Sequence, residues 1–434
     1  MPHPSPSSLV AKAPSAVSTR TALIEGRQTA RDIAADFLER VALAEPVVRA
    51  WQHLEAAQVL RQAQALDEAV PAGLLAGVPI AVKDIFDTHD MPTGYGSAVY
   101  ARHRPAADAD IVAALRGAGA IVAGKTVSTE FAYFSPGPTA NPWDPRRTPG
   151  GSSSGSAAAV ASGMVAVAFG SQTAGSLIRP ASYCGVFALK PSHASVSTRG
   201  AKPFSESLDT VGWLANDADD LELVRAALGG IPFVALQAPA VAGLRLGVWR
   251  THEWSYADAS GQMSWEAGMR RLAAAGIEIV ELALPQAYAP LMEVQKTVMA
   301  YEAARSLAAD IAQHGEALGV HIRELAARGR TIGEAEYRAA LEFTARGRHA
   351  ACALLQGVDA LVVPSAPGEA PLGLEATGDP VFSRVWTLLG LPSVNVPGLL
   401  GPNGMPVGLQ LVGDFHSERA ILALAKAIQP LLQD

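Results

Sequence analysis

The chain has few cysteines, no long apolar run and no run of like charges. Its 434 residues include two cysteines, Cys184 and Cys352, which are too few for a disulfide framework and are typical of a reducing compartment. The longest small-apolar stretch, 157–169, is interrupted by Ser162 and Gly163 and is too short to cross a bilayer, so no membrane partner is expected. The formal charge is −7 without a basic cluster, which gives no reason to expect a nucleic acid partner.

A targeting signal is also missing from the start of the chain. Residues 1–15 read MPHPSPSSLVAKAPS, without the basic start and apolar core of a secretory signal peptide. The abundance of Pro and Ser predicts a flexible leader over residues 1–17, followed by one domain over residues 18–434. Together with the low cysteine count, this start predicts a cytoplasmic protein.

The first half of the chain alternates strand and helix patterns. Its composition, 49% hydrophobic and 17% charged, is ordinary for a globular protein with a sizeable core. We predict buried strands at 77–83, 120–122 and 164–169, and helices at 110–117 and 156–162. A further helix is expected to begin after Thr29 and end near Pro46. This alternation favours an α/β fold with a largely parallel sheet.

The second half continues the alternation around a long helical block. Its predicted elements are strands at 244–248, 277–282, 358–363 and 393–396, a helix at 265–275, and a last helix that begins after Ser417. Residues of about 285–356 contain few turn signals. We interpret this block as a helical cover that shapes a pocket.

Two Gly/Ser turns lie close together in the stretch TPGGSSSGSAAAVASGMVAVAFGSQTAGSLIRP, residues 148–180. The first turn spans Gly150–Ser156 and the second Thr173–Ser176. Glycine allows tight turns with N–H groups near a ligand, and serine can act as a nucleophile or carry a proton. The apolar run Val160–Phe169 between them argues against a flexible linker. The turns are therefore expected to share one pocket.

A serine nucleophile needs a base that removes its proton. Histidine is the usual base, but the ten histidines are scattered along the chain, and nothing in their spacing supports a Ser–His–Asp triad, which is left open. Lys83 is the alternative, because it follows the apolar residues Val78–Val82, and burial would lower its pKa toward a neutral amine. A lysine at a strand end is also often a surface residue, so Lys83 alone leaves both roles open.

The combination of Lys83, GGSSSGS at Gly150–Ser156 and QTAGSLIRP at Gln172–Pro180 resembles the amidase signature family. Members of that family contain a GGSSGGS turn and a TDTGGS-like turn, and they use a Ser–Ser–Lys triad. The spacings of 69 positions from Lys83 to Ser152 and 24 from Ser152 to Ser176 also agree. Further matching motifs are GKTVSTEF (Gly124–Phe131), NPWD (Asn141–Asp144), CGVFALKPS (Cys184–Ser192), SLDTVG (Ser207–Gly212), GLPSVNVP (Gly390–Pro397) and GMPVGLQLVG (Gly404–Gly413).

The resemblance implies a single α/β/α domain whose central sheet is mixed but largely parallel and is covered by helices on both faces. It implies that Ser176 is the acylated nucleophile and that Ser152, preceded by a cis peptide, links it to the base Lys83. The implied oxyanion hole consists of the backbone N–H groups of Thr173, Ala174, Gly175 and Ser176. The resemblance implies no metal and no organic cofactor.

The motifs are closest to malonamidase-like and to biuret- and allophanate-hydrolase-like members of the family. Arg179 lies where malonamidase-like relatives bind a substrate carboxylate and where other members use the arginine structurally, so both roles stay open. Gly151, Tyr133 and Phe134 are further candidates for substrate binding. Gln172 departs from the usual acidic residue before the second turn.

The leading hypothesis is an amidohydrolase that cleaves a small linear amide and releases ammonia or an amine. Its nearest rival is the glutaminase subunit of a tRNA-dependent amidotransferase, which shares the signature but works with partner subunits. A phosphate- or nucleotide-binding protein is disfavoured because GxGxxG is missing and the GxxxxGK[ST] pattern at Gly119–Thr126 overlaps the strand predicted at 120–122 instead of lying at a strand–helix junction. The expected partner is a small amide substrate, and a homodimer is left open.

Overall fold

The computed structural model describes residues 9–69 and 72–433. Its helices are α1 Ala16–Ile24, α2 Ala30–Val48, α3 Ala56–Asp67, α4 Asp110–Gly117, α5 Ser154–Ala161, α6 Ile178–Cys184, α7 Ala218–Gly229, α8 Ala259–Ala274, α9 Leu291–Ser306, α10 Ala308–His314, α11 Val320–Thr331, α12 Glu334–Leu355, α13 Val381–Leu388 and α14 Glu418–Leu432. Its strands are β1 Trp51–Leu54, β2 Pro79–Lys83, β3 Ile121–Thr126, β4 Val167–Gln172, β5 Phe187–Lys190, β6 Thr210–Ala215, β7 Arg245–Val248, β8 Glu278–Glu281, β9 Ala360–Pro364, β10 Ser393–Leu400 and β11 Pro406–Val412.

These strands form one mixed sheet in the order β1-β3-β2-β4-β6-β5-β10-β11-β9-β7-β8. Strand β2 runs parallel to β3 and β4, and β7 runs parallel to β8 and β9. The other six neighbouring pairs are antiparallel. The single α/β domain with a mixed sheet is confirmed, but the expectation that the sheet is largely parallel is wrong. One reason is that β6 inserts between β4 and β5, antiparallel to both, and another is that the short loop 401–405 joins β10 and β11 as a hairpin.

Helices cover both faces of the sheet, as predicted. Every residue of β2 is buried, which is typical of a strand covered on both sides. Ile80 and Val82 pack on one face in a cluster with apolar residues of α4, α7, α8 and α14. Ala81, between them, packs on the other face in a cluster with residues of α2, α3 and α5. Successive residues of a strand point to opposite faces, so β2 packs against helices on both sides of the sheet. Lys83 is its last residue.

The block expected to be helical, 285–356, folds as helices α9 to α12. Helix α9 packs against α11, α12 and α13, and the residues of these helices form a third apolar cluster with Leu361 and Val363 of β9. From α9, Nε2 of Gln295 donates to the carbonyl of Thr173, in the turn that follows β4. The block is therefore a cover that packs on β9 and reaches this turn.

Several element boundaries agree with the sequence patterns. Helix α4 has the predicted bounds, and α2 begins after Thr29, whose hydroxyl and the Asp32 carboxylate form a capping box. Helix α2 continues through Pro46 to Val48 rather than ending near the proline. Strand β3 is longer than predicted because it includes Lys125 and Thr126 of the GKT sequence.

The expected flexible leader falls partly outside the described residues, which begin at Leu9. From there on the chain packs against the domain: Leu9 is buried, and the N–H of Ala11 donates to the carbonyl of Ala161 at 3.2 Å. Helix α1 then begins at Ala16, after a cap from the Ser15 hydroxyl. Residues 9–17 therefore lie against the rest of the domain. Within the described ranges, no helix has the length and apolar character needed to cross a membrane.

Candidate active site

Lys83 ends β2 and is fully buried. Its Nζ lies 2.6 Å from Oγ of Ser152 and 3.0 Å from Oγ of Ser171. Because β2 and β4 run in parallel, their carboxyl ends meet at one edge of the sheet and bring Lys83 beside Ser171. Burial lowers the pKa of Lys83 well below its ordinary value, with the negative charge of Asp209 opposing the shift and the positive charge of Arg179 adding to it. The site therefore favours a neutral amine, which can accept a proton.

Ser152 belongs to the first Gly/Ser turn, which leads into α5. The Gly151–Ser152 peptide is cis, and Gly150 has a φ of +82°, a conformation that glycine adopts without steric cost. The hydroxyl of Ser154 donates to the carbonyl of Gly150 at 2.8 Å and closes the turn. The N–H of Ser153 donates to the carbonyl of Ser176 at 3.3 Å. This last bond ties the first turn to the second.

The second turn, 173–176, follows the end of β4. The N–H groups of Ala174, Gly175 and Ser176 find no hydrogen-bond acceptor within residues 9–69 and 72–433. The side chain of Gln172 holds the turn from behind, because its Oε1 accepts hydrogen bonds from the N–H groups of Leu177 at 2.9 Å and Ile178 at 3.1 Å. A turn with several free N–H groups can bind an oxyanion.

Gln172 also connects the second turn to α13. Its Nε2 donates to Oγ1 of Thr387 at 2.9 Å, and that hydroxyl lies 2.7 Å from the carbonyl of Ala174 and 2.9 Å from that of Ser383. An acidic residue at position 172 could accept the bonds from the turn but, when ionised, could not donate to Thr387. Glutamine at position 172 therefore suits this site, because it can donate a hydrogen bond to the hydroxyl of Thr387 on the neighbouring helix.

Thr173 begins the second turn and is fixed on two sides. Its hydroxyl donates to Oδ1 of Asp209 at 2.5 Å, and its carbonyl accepts a bond from Nε2 of Gln295 at 3.0 Å. Asp209 also accepts the N–H groups of Phe204 and Ser205, both at 2.9 Å. Burial raises the pKa of Asp209 to about 6, against the lowering effect of these bonds.

The two turns border a narrow cavity of about 20 Å³, on the order of one or two water molecules in size. The predicted residues that line it are Tyr133, Phe134, Ser152, Thr173, Ala174, Ser176 and Arg179. Both serine hydroxyl groups therefore face one space, with Lys83 behind Ser152. Aromatic side chains form one wall, and Arg179 closes another side.

The family model described as Amidase matches residues 32–422. The chain belongs to the amidase family. It is 33% identical to a glutamyl-tRNA(Gln) amidotransferase subunit from Synechococcus sp. (strain WH7803), over 94% of each chain.

Two solved structures give the same assignment. One, described as an amidase, matches with a TM-score of 0.87 and 30% identity over 96% of this chain and 99% of that chain. Native peptide amidase from Stenotrophomonas maltophilia matches with a TM-score of 0.80 and 28% identity over 96% of each chain. The protein is therefore an amidase-family enzyme that acts on C–N bonds.

Two of the predicted residues, Gly175 and Gly151, are not among the described residues that line the cavity. Gly175 belongs to the second turn, where it was predicted to contribute a backbone N–H group. The carbonyl of Gly151 accepts a bond from Nη2 of Arg179 at 2.6 Å. Its role in the structure is therefore to hold Arg179.

Arg384 of α13 lines the cavity of the amidase and was missed by the sequence analysis. Its Nη1 donates to Oε1 of Gln295 at 2.7 Å, and Gln295 in turn binds the carbonyl of Thr173. A signal was present, because Arg384 is the one charged residue in VFSRVWTL, Val381–Leu388. A lone charge in a short apolar helix is a candidate for a buried functional group.

Within the described part of the chain, one group of side chains has ligand atoms close enough to share an ion: His89, Asp90 and Asp108. Arg116 already pairs with Asp90 at 2.7 Å and with Asp108 at 3.0 Å. None of the three acidic or histidine residues lines the cavity.

Proposed function

We propose that this amidase hydrolyses small linear amides through an acyl-enzyme on Ser176, with Ser152 and Lys83 as the proton relay. The observation that carries the proposal is the 2.6 Å contact between Nζ of Lys83 and Oγ of Ser152, beside a cavity that Ser176 also lines. A buried amine with a lowered pKa is a suitable base for a hydroxyl group that must lose its proton.

In the acylation step, Oγ of Ser176 attacks the amide carbonyl carbon. Its proton passes to Oγ of Ser152 while the proton of Ser152 passes to Nζ of Lys83. The carbonyl oxygen becomes an oxyanion that the free N–H groups of the second turn stabilise. Removal of one such donor typically costs about 3–4 kcal/mol of transition-state stabilisation. The C–N bond then breaks, the leaving nitrogen takes the proton back from Lys83 through Ser152, and an ester to Ser176 remains.

In the deacylation step, water takes the place of the departed amine. It gives a proton through Ser152 to Lys83 and attacks the ester carbon. The bond between the acyl carbon and Oγ of Ser176 then breaks, and the proton returns through the relay to Ser176. The products are a carboxylic acid, which ionises in solution, and ammonia or an amine. No cofactor takes part in these steps.

The two turns and the aromatic wall enclose the space in which the scissile amide would meet Ser176. We propose a small linear amide as the substrate because of the likeness of the motifs to the family, and we retain a cytoplasmic location as part of the proposal. A homodimer stays open as an assembly state.

A second candidate is a glutaminase component that delivers ammonia within an amidotransferase. What favours it is the 33% identity, over 94% of each chain, to a protein named as part of glutamyl-tRNA(Gln) amidotransferase. This candidate predicts glutamine as the preferred amide and partner subunits that co-purify with the protein. Weak activity on glutamine from a protein that purifies alone would reject it.

Ammonia release from a panel of amides tests the leading proposal. The panel contains malonamate, a biuret-type ureide, an aryl amide, a fatty amide and glutamine, and it compares wild type with Ser176→Ala. Ser162→Ala is the matched control, because Ser162 is buried and donates to the carbonyl of Ala158 in α5, away from the cavity. We expect activity to disappear in Ser176→Ala and to persist in Ser162→Ala. Equal release by wild type and Ser176→Ala would refute the assignment of the nucleophile.

A further inference from the structure

Gln295 of α9 holds the second turn without lining the cavity. Its side chain is fully buried, and it is not among the described residues that border the cavity. Its Nε2 donates to the carbonyl of Thr173 at 3.0 Å, and its Oε1 accepts a bond from Nη1 of Arg384 at 2.7 Å. The amide therefore joins a charged side chain of α13 to the backbone that precedes Ser176.

The two partners determine which end of the Gln295 amide faces which way. A guanidinium group can only donate hydrogen bonds, and a backbone carbonyl can only accept them. The amide oxygen must therefore face Arg384, and the amide nitrogen must face Thr173. A carboxylate at position 295 could accept the bond from Arg384, but it could not donate to Thr173.

The bond to the carbonyl of Thr173 also sets the direction of the N–H group of Ala174. These two groups belong to one peptide, which is trans, and in a planar trans peptide the carbonyl and the N–H point in opposite directions. Holding the carbonyl on α9 therefore turns the N–H of Ala174 away from α9. That N–H has no acceptor within the described residues, and Ala174 lines the cavity.

Arg384 places a positive charge at the start of this series of hydrogen bonds. The side chain is buried, and arginine stays protonated in proteins. Hydrogen bonds in series polarise one another, and the low dielectric of a buried site strengthens them. The charge of Arg384 therefore polarises the amide of Gln295, which in turn polarises the peptide between Thr173 and Ala174. This makes the N–H of Ala174 a stronger donor.

We infer that Gln295 is a positioning residue for the reaction of this amidase. It directs the N–H of Ala174 toward the oxyanion and, with Arg384, strengthens that N–H as a donor. The inference rests on the proposed function, because the oxyanion forms when Ser176 attacks the amide. The benefit is largest when the carbonyl oxygen becomes negative, so its loss should lower kcat and leave KM unchanged.

Steady-state kinetics of two Gln295 variants on the preferred amide test this role. Gln295→Met keeps the length of the side chain and removes both hydrogen bonds. Gln295→Glu, measured at pH 8 where the carboxyl group is ionised, keeps the bond from Arg384 and removes the donor to Thr173. We expect kcat to fall about 10- to 100-fold in both variants, which is less than the effect of removing an oxyanion donor entirely. KM should stay within about two-fold of wild type.

Gln62→Met is the matched control, because Gln62 of α3 makes the same two kinds of bond away from the cavity. Its Nε2 donates to the carbonyl of Val122 at 3.0 Å, and its Oε1 accepts a bond from Nη1 of Arg116 at 3.3 Å. This variant should leave kcat and KM unchanged.

A purely structural role predicts a different ranking of the variants. If Gln295 only fastened α9 to α13, Gln295→Glu would keep kcat near that of wild type, because it keeps the size of the side chain and the bond from Arg384. That result, or an equal loss of kcat in Gln62→Met, would overturn the inference. If Gln295→Met does not fold by circular dichroism, Gln295→Glu decides alone, and a kcat near wild type refutes the inference.

Turnover by Ser176→Ala separates this inference from the proposed function. Turnover that depends on Ser176 but is unchanged in both Gln295 variants would leave the nucleophile in place and reject the role of Gln295. Turnover that survives Ser176→Ala and still falls in both Gln295 variants would reject the nucleophile and keep the role of Gln295.

Discussion

Replacing Thr387 with valine tests how the turn that carries Ser176 is held in place. The hydroxyl of Thr387 accepts a bond from Nε2 of Gln172 at 2.9 Å and lies 2.7 Å from the carbonyl of Ala174. Valine keeps the shape of the side chain but removes the hydroxyl. The variant therefore leaves the amide nitrogen of Gln172 and the carbonyl of Ala174 buried without these partners.

The expected size of the effect follows from those two groups. A buried polar group that loses its partner costs about 1–3 kcal/mol, so Thr387→Val should lower the free energy of unfolding by about 2–6 kcal/mol. The N–H of Ala174 belongs to the proposed oxyanion hole, so a looser turn should also reduce kcat. The loss of kcat should stay below about 100- to 1000-fold, the effect of removing one oxyanion donor entirely.

Urea unfolding and kcat on the preferred amide measure both effects. Thr387→Ser keeps a hydroxyl and should recover most of the stability. Thr344→Val is the matched control, because Oγ1 of the buried Thr344 lies 2.8 Å from the carbonyl of Ala340 within α12, a carbonyl that also has its helical bond. It should cost less than about 1 kcal/mol. Equal losses in Thr387→Val and Thr344→Val would refute the role of the Gln172–Thr387 link.

Three further predictions concern Lys83, Asp209 and Gly175. Because burial lowers the pKa of Lys83 from 10.5, the unfolded chain binds more protons between the lowered pKa and 10.5, and stability from this group rises with pH through that window. Lys83→Met should lose turnover and also lose that rise in urea unfolding at pH 7, 8 and 9; an unchanged pH dependence would contradict a buried neutral amine. Because the pKa of Asp209 is raised from 3.8 to about 6, the folded chain binds more protons between these values, and stability falls by about 3 kcal/mol as pH rises through them. Urea unfolding at a series of pH values should show that Asp209→Asn removes this fall in stability. An identical dependence of stability on pH in wild type and variant would contradict the raised pKa of Asp209. A Cβ at Gly175 would lie 2.7 Å from Cβ of Pro380, so thermal unfolding should show Gly175→Ala to be destabilised by about 1–3 kcal/mol. Gly117→Ala, with nothing within 4 Å, should instead be neutral or stabilising, and similar effects of the two changes would refute the crowding argument.

The sequence predicted the elements better than their arrangement. The bounds of α4 and the start of α2 follow from local signals, namely apolar periodicity and the Thr29 cap. The direction of β6 does not follow from such signals, because it depends on where the chain returns to the sheet. Strand β6 begins within the SLDTVG motif, yet a motif by itself does not show which strands become its neighbours.

The residues of the candidate site also fall into those that the sequence showed and those that it did not. Lys83, Ser152 and the second turn each lie in a short motif that is visible in the sequence, and the fold brings them together at one edge of the sheet. Gln295 lies on α9 of the cover and Arg384 lies on α13, and for neither helix does the sequence show which face will meet the cavity. Their contribution depends on how α9 and α13 pack together, a tertiary contact without a local signature.

The hydrogen bond between Gln172 and Thr387 could not be predicted from the sequence, for a similar reason. The sequence showed that Gln172 departs from the usual acidic residue, but the physical reason lies 215 positions away on α13. Asp209 was visible in a motif, although its bond to Thr173 depends on the path of the loop before β6. Long-range hydrogen bonds of this kind become visible only in the folded chain.

The most direct test of the central claim is to trap the acyl-enzyme and locate it. Wild type is mixed with its preferred amide, quenched in acid within the first turnover, and digested for peptide mass spectrometry. The proposed mechanism predicts the mass of the acyl group on the peptide that contains Ser176, with Ser152 unmodified and no adduct in Ser176→Ala. An acyl group on Ser152 or on another residue, or full turnover by Ser176→Ala, would contradict it.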